Sequence, residues 1–126
     1  MKTFKYGKIE KCYFSVGHYN KENAIGITVV EEETGEDITT LTELDDNYDY
    51  EIGLATIYNG NVVGDEVVGY KTGTQVLQDL GIIDEIWTTY DLDNDGINSI
   101  PIASCRINLR VLKEYSKEWN YYGYKP

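Results

Sequence analysis

The sequence predicts a single α+β domain, an antiparallel β-sheet built from hairpins with one short helix packed on one face. Three observations predict it. Runs rich in Val, Ile, Thr and Tyr recur between Gly, Asn and Asp turn signals. One segment alone changes to the helical period. A chain of 126 residues buries one core and has too little apolar surface for a second independent one. With 41% hydrophobic and 13% aromatic residues, the composition is that of a folding chain even at a formal net charge of -11.

Taken in order, Lys11 to Tyr19 reads as a strand with Cys12, Phe14, Val16 and His18 on one side, followed by a turn at Asn20-Lys21-Glu22-Asn23. Ala24 to Glu32 and Glu36 to Leu44 are β-rich runs joined by Glu33-Thr34-Gly35, the composition of a hairpin with Gly at a positive-φ position. Asp49 to Tyr58 and Val62 to Tyr70 suggest a second hairpin around Asn59-Gly60-Asn61. Thr72-Gly73-Thr74-Gln75 has the spacing of a capping box; Val76, Leu77 and Leu80 then form an apolar face and Gly81 stops the helix, giving one helix over Thr74 to Leu80. Glu85 to Tyr90 and Ile97 to Leu109 are the last strands, the second beginning as an edge or irregular stretch because of Pro101. Val111 to Pro126 supplies a turn or two of helix and then an aromatic tail, with residues 113–126 able to flex.

The charge is arranged by region. Lysines 2, 5, 8, 11 and 21 dominate the first segment, and Arg106, Arg110, Lys113, Lys117 and Lys125 the last. Between them, residues 22–105 hold 19 acids against the single base Lys71. The densest stretch is Glu31, Glu32, Glu33, Glu36 and Asp37, continued by Asp45, Asp46, Asp49 and Glu51 with Tyr48 and Tyr50 among them. The net charge disfavours non-specific attraction to nucleic acid or anionic lipid, both polyanions, so neither is expected as a direct partner. A solvated face that maintains solubility is the plain reading. The sharper one is a row of carboxylates that imitates phosphates and fills the basic groove of a nucleic-acid-binding protein; duplex DNA carries about one charge per 1.7 Å of axis, a density that carboxylates on adjoining strands can approach.

The N-terminus lacks the apolar core of a signal peptide and no run of apolar residues is long enough to span a membrane, so the expected location is the cytoplasm. Cys12 and Cys105, without CxxC spacing, fit buried reduced thiols.

Catalytic chemistry finds no foothold. The only histidine, His18, lies in an alternating strand, six positions from Cys12, too far along an extended chain for a hydrogen-bonded pair. Gly64 to Thr72 has glycines and a lysine, but Asp65 and Glu66 would repel phosphate and Tyr70 separates Gly69 from Lys71. Asp91, Asp93 and Asp95 before Gly96 match the opening of an EF-hand loop and would be the ligands of a weak Ca²⁺ site; Ile102 stands where the bidentate Glu belongs, so the competing reading is an Asx-rich turn and the expected cofactor is none.

At AIGITVVEEETGEDITTLTEL, LQDLGIIDE and GINSIPIASCRINL, from about Cys12 to Leu112, the chain resembles a family of uncharacterised small proteins encoded on conjugative and phage-like elements of gut bacteria. The resemblance implies a setting in which small acidic accessory proteins antagonise host defences, and it implies no catalytic residue. The expectation is therefore a non-enzymatic acidic module whose partner is a basic nucleic-acid-handling protein, bound by the eleven residues from Glu31 to Glu51 named above. Its rivals are a structural or regulatory accessory protein binding through Trp119, Tyr121, Tyr122 and Tyr124, and a Ca²⁺-responsive domain.

Overall fold

The computed structural model describes residues 1–67, 69–93 and 99–121. They are mostly antiparallel β-sheet. The order is β1 (Phe4–Tyr6), β2 (Ile9–His18), β3 (Ile25–Glu31), β4 (Asp37–Thr40), β5 (Leu54–Tyr58), β6 (Val62–Asp65), β7 (Gly69–Thr72), α1 (Gly73–Asp79), β8 (Ile83–Asp93), β9 (Ser99–Ile107), α2 (Leu109–Glu114) and β10 (Ser116–Trp119).

Strands β1-β2-β3-β4 form one sheet in that order, with β10 also on β2; β5-β9-β8 form a second, and β6-β7 a small ribbon. The segment following β4 joins the two larger sheets, Thr42 bridging to Ile57 and its Oγ1 accepting from the Ile27 N–H. The Leu41 N–H donates to the Ile27 carbonyl of β3, and the Leu41 carbonyl accepts from the Tyr58 N–H of β5. The inner faces therefore share one core, in which Phe14, Ile27, Ile57 and Cys105 are wholly buried and which Val76 and Leu77 of α1 and Leu112 of α2 enter. Each such aliphatic or aromatic side chain contributes about 1.5–3 kcal/mol on leaving water.

The β3–β4 hairpin forms where the turn residues place it, with Gly35 at φ +74. Thr72 caps α1 by accepting from the Gln75 N–H while the Gln75 side chain accepts from the Thr72 N–H, so the capping box is complete. Pro101 sits where the ladder with β5 ends: β5 pairing with β9 stops at Tyr58↔Ile102, and β9 becomes the central strand from Ile102 onward.

Three expectations are corrected. The hairpin across Asn59-Gly60-Asn61 does not form: β5 pairs with β9, and β6 pairs with β7. The reason lies in Asn59, whose side-chain oxygen accepts from the Thr74 N–H at 3.0 Å and its hydroxyl at 2.7 Å, while its own N–H donates to the Pro101 carbonyl. The residue docks the first turn of α1 instead of reversing the chain. Gly73 permits that approach, since a Cβ there would lie 2.7 Å from the Tyr58 carbonyl oxygen. Second, the turn or two of helix expected from Val111 onward is a second helix among the described residues, α2, which begins earlier, at Leu109, and is capped by Asn108 through the Val111 N–H. Third, the start of the aromatic tail is a strand, β10, and it runs parallel to β2 with Ser116↔Phe14 and Trp119↔Val16.

Among the described residues no helix is long and apolar enough to cross a membrane.

Candidate functional site

β3 divides the acidic row. Glu31 to Asp37 surround the hairpin tip at one end of the strand, beside an open cleft of about 400 Å³ lined by Ile9, Glu10, Lys11, Glu31, Glu32 and Glu33. Asp45 to Glu51 lie at the other end, where Lys21 donates to the Asp46 carbonyl and Asn23 to the Tyr50 carbonyl. At about 3.3 Å per residue, the seven residues of β3 set the two groups about 20 Å apart. The strands between them carry Thr28, Thr39 and Thr40, with no carboxylate before the tip. The continuous row of charge expected from the sequence is thus two patches.

Within the patches Glu32, Glu33, Glu36, Asp37, Asp46, Asp49 and Glu51 are exposed and Glu31 is partly so. None of them forms an ion pair among the described residues, where the pairs are Lys2–Glu114, Lys5–Glu10 and Lys71–Asp79.

Two members expected at the surface are inside. Asp45 and Tyr50 are each 7% exposed. The Asp45 carboxylate accepts from the Asn47 N–H at 3.0 Å and the Tyr90 hydroxyl at 2.8 Å. The Asp45 N–H donates to the Tyr50 hydroxyl oxygen at 3.0 Å, and that hydroxyl lies 2.9 Å from Thr56 Oγ1. Because the Thr56 hydroxyl proton is committed to the Glu43 carbonyl, Tyr50 is the donor to Thr56. Tyr48 is partly buried, its ring tilted by 58° against that of Tyr50 with centroids 4.8 Å apart, and it accepts from the Ser104 hydroxyl at 3.0 Å. These bonds pin the loop carrying Asp46, Asp49 and Glu51 onto β5, β8 and β9. The pinning residues Thr56, Tyr90 and Ser104 escape a sequence reading, since each sits singly in an ordinary strand.

Burial pushes the Tyr50 phenol above its ordinary range. The Tyr90 phenol is raised further, first by burial and then by donating to the Asp45 carboxylate. Desolvation likewise lifts the Cys105 thiol to about 12 and raises the Cys12 thiol. At neutral pH these groups are hydrogen-bond donors and packing groups, with negligible phenolate or thiolate available.

The other candidates are dispersed. Trp119 is partly buried and donates its indole N–H to the Tyr121 carbonyl. Tyr121 is 1% exposed, stacks on His18 at 5.5 Å, accepts from the Gly53 N–H and donates to the Asn23 carbonyl. Both therefore anchor the C-terminal segment instead of offering a contact surface; Tyr122 and Tyr124 lie outside the described residues. Asp91 and Asp93 are backbone-paired with Pro101 and Ser99 in β8, so the first three positions of the EF-hand pattern are extended strand without the curl of a loop; Asp95 lies outside the described residues. Lys71 pairs with Asp79 and Thr72 caps α1, which accounts for the lysine and threonine of the phosphate-loop-like stretch.

No protein-family model, curated protein or solved structure matches the chain.

Proposed function

We propose that the protein is a non-enzymatic, acidic protein-binding module that occupies the basic surface of a nucleic-acid-handling protein, in the setting of a bacterial mobile element that its sequence resemblance implies. The observation that carries this reading is the set of seven exposed acids without an ion-pair partner among the described residues, held on a hairpin and a loop tied down by buried hydrogen bonds. An acidic face that served solubility alone would not need its loop fixed by a buried carboxylate. Fixed charges also lose less conformational entropy on binding, which favours affinity as well as encounter rate. With two patches about 20 Å apart, the partner is gripped at two points, each supplying lysines or arginines.

The test compares capture from a bacterial lysate by the parent and by a variant with Glu32, Glu36, Asp46 and Asp49 all changed to Lys. A basic DNA- or RNA-handling protein is expected on the parent alone, eluting as salt rises from about 50 to about 500 mM, with the variant's circular dichroism unchanged. Equal retention of the same protein by both would sink the proposal.

A further inference from the structure

β8 is the longest strand of its sheet and lies at its border: β9 covers one side, and among the described residues nothing pairs with the other. An edge of this kind presents a row of main-chain donors and acceptors, which proteins ordinarily blunt. Here the irregularity of the ladder is confined to one half. Register shifts fall between Ile83 and Glu85 and between Ile86 and Thr88, whereas Thr88 to Asp93 pair residue for residue with Ser104 to Ser99. The regular half is able to accept a further strand.

The side chains beside it are also unusual. Every residue from Asp84 to Thr89 is exposed, including two large apolar ones, Ile86 at 38% and Trp87 at 45%. Trp87 lies against the Arg106 guanidinium, 5.2 Å from ring to cation. Arg106 is the sole base on β5, β8 and β9, whereas β8 carries Asp84, Glu85, Asp91 and Asp93.

We propose that this edge takes an extended, lysine- or arginine-bearing segment of the partner as an added strand. Main-chain bonds to the Thr88–Asp93 half supply affinity, the cationic side chains meet Glu85 and Asp91, and an apolar residue covers Ile86 or Trp87. The charge selects the occupant. A second copy of this chain would bring another net -11 and another Asp84, Glu85 and Asp91 to the same edge, and like charges opposite one another across strands repel. The inference rests on the partner being basic, as proposed above, and adds where and in what conformation part of it binds.

The test uses a short synthetic peptide of alternating lysine and valine, and the same peptide N-methylated at alternate residues in each of the two phases, which keeps the charge and removes one row of ladder donors. Binding is followed by isothermal titration and by amide hydrogen exchange of the whole protein. The parent peptide is expected to slow exchange within Thr88–Asp93, and the N-methylated peptide of one phase to bind about tenfold more weakly. Glu85→Lys with Asp91→Lys should weaken the parent peptide similarly. The inference is overturned if both N-methylated forms bind as well as the parent peptide, if protection falls on residues 31–37 or 45–51 instead, or if the protein self-associates through β8. Loss of a captured basic protein in the Glu32, Glu36, Asp46 and Asp49 variant, combined with no protection at β8, would remove this inference while leaving the acidic-module reading standing.

Discussion

Replacing Tyr50 by Phe removes one oxygen from the middle of the loop-pinning network while leaving the ring packed with Ala24 and Leu54. That oxygen is the acceptor for the Asp45 N–H and the donor to Thr56. Thr56 retains its own bond to the Glu43 carbonyl, so the larger loss is a buried N–H left without a partner. Such a donor costs about 1–3 kcal/mol, and about 2 kcal/mol is expected for this one. An unfolding entropy of about 2.1 cal/mol/K per residue over 126 residues is about 0.26 kcal/mol/K, so the melting temperature should fall by about 8 °C. Thermal melting followed by circular dichroism reads the shift directly. Tyr70→Phe serves as the control: Tyr70 is 57% exposed, and a surface change away from any such network should stay within about 0.5 kcal/mol. A Tyr50→Phe melting temperature indistinguishable from the control's would mean that Asp45 and Tyr50 do not hold the loop, and the rigid display of Asp46, Asp49 and Glu51 would lose its basis.

Alkali should unfold the domain. Tyr6, Tyr19, Tyr50, Tyr90 and Tyr121 all have pKa values raised above 10.0, chiefly by desolvation. The folded state holds those protons more tightly than the unfolded one, so their contribution is intact below pH about 10 and is lost as pH rises beyond it. Phenolate absorbance should show these five ionising together with the loss of structure; their ionisation at pH about 10 with the fold intact would contradict the burial argument. At the start of α1, Thr72→Ala should cost about 1 kcal/mol, and Thr72→Ser should restore most of it; a urea midpoint that fails to move, with unchanged slope, would show that the capping box contributes nothing.

The hairpin at Gly35 and the box at Thr72 and Gln75 were legible because each is decided by residues within a few positions of one another. The pairing of β5 was not, since it depends on Asn59 being drawn to Thr74 and Pro101, contacts 15 and more positions away. The same holds for β10, whose partner strand lies at the opposite end of the chain. Within the acidic stretch, local chemistry gave one clue that the count of charges hid. Asp45 accepting from the N–H two residues on, at Asn47, is an Asx turn, and a carboxylate used that way is a structural element before it is a surface charge. The Tyr90 hydroxyl, 45 positions away, completes the burial of that carboxylate.

The parallel seating of β10 on β2 has a consequence for how the chain reaches this form. β2 finds β3 across a short connection, but its other margin is shared by β1 and by β10, and contacts such as Ser15 to Glu118 span 103 positions. Closing a loop of that length precedes any compensating contact, so such pairings form slowly. During synthesis the outer margin of β2 beyond Cys12 stays open until β10 has left the ribosome, and the Tyr121 hydroxyl can bond Gly53 and Asn23 only after that. Strand β2 is therefore made well before the strand that completes its pairing.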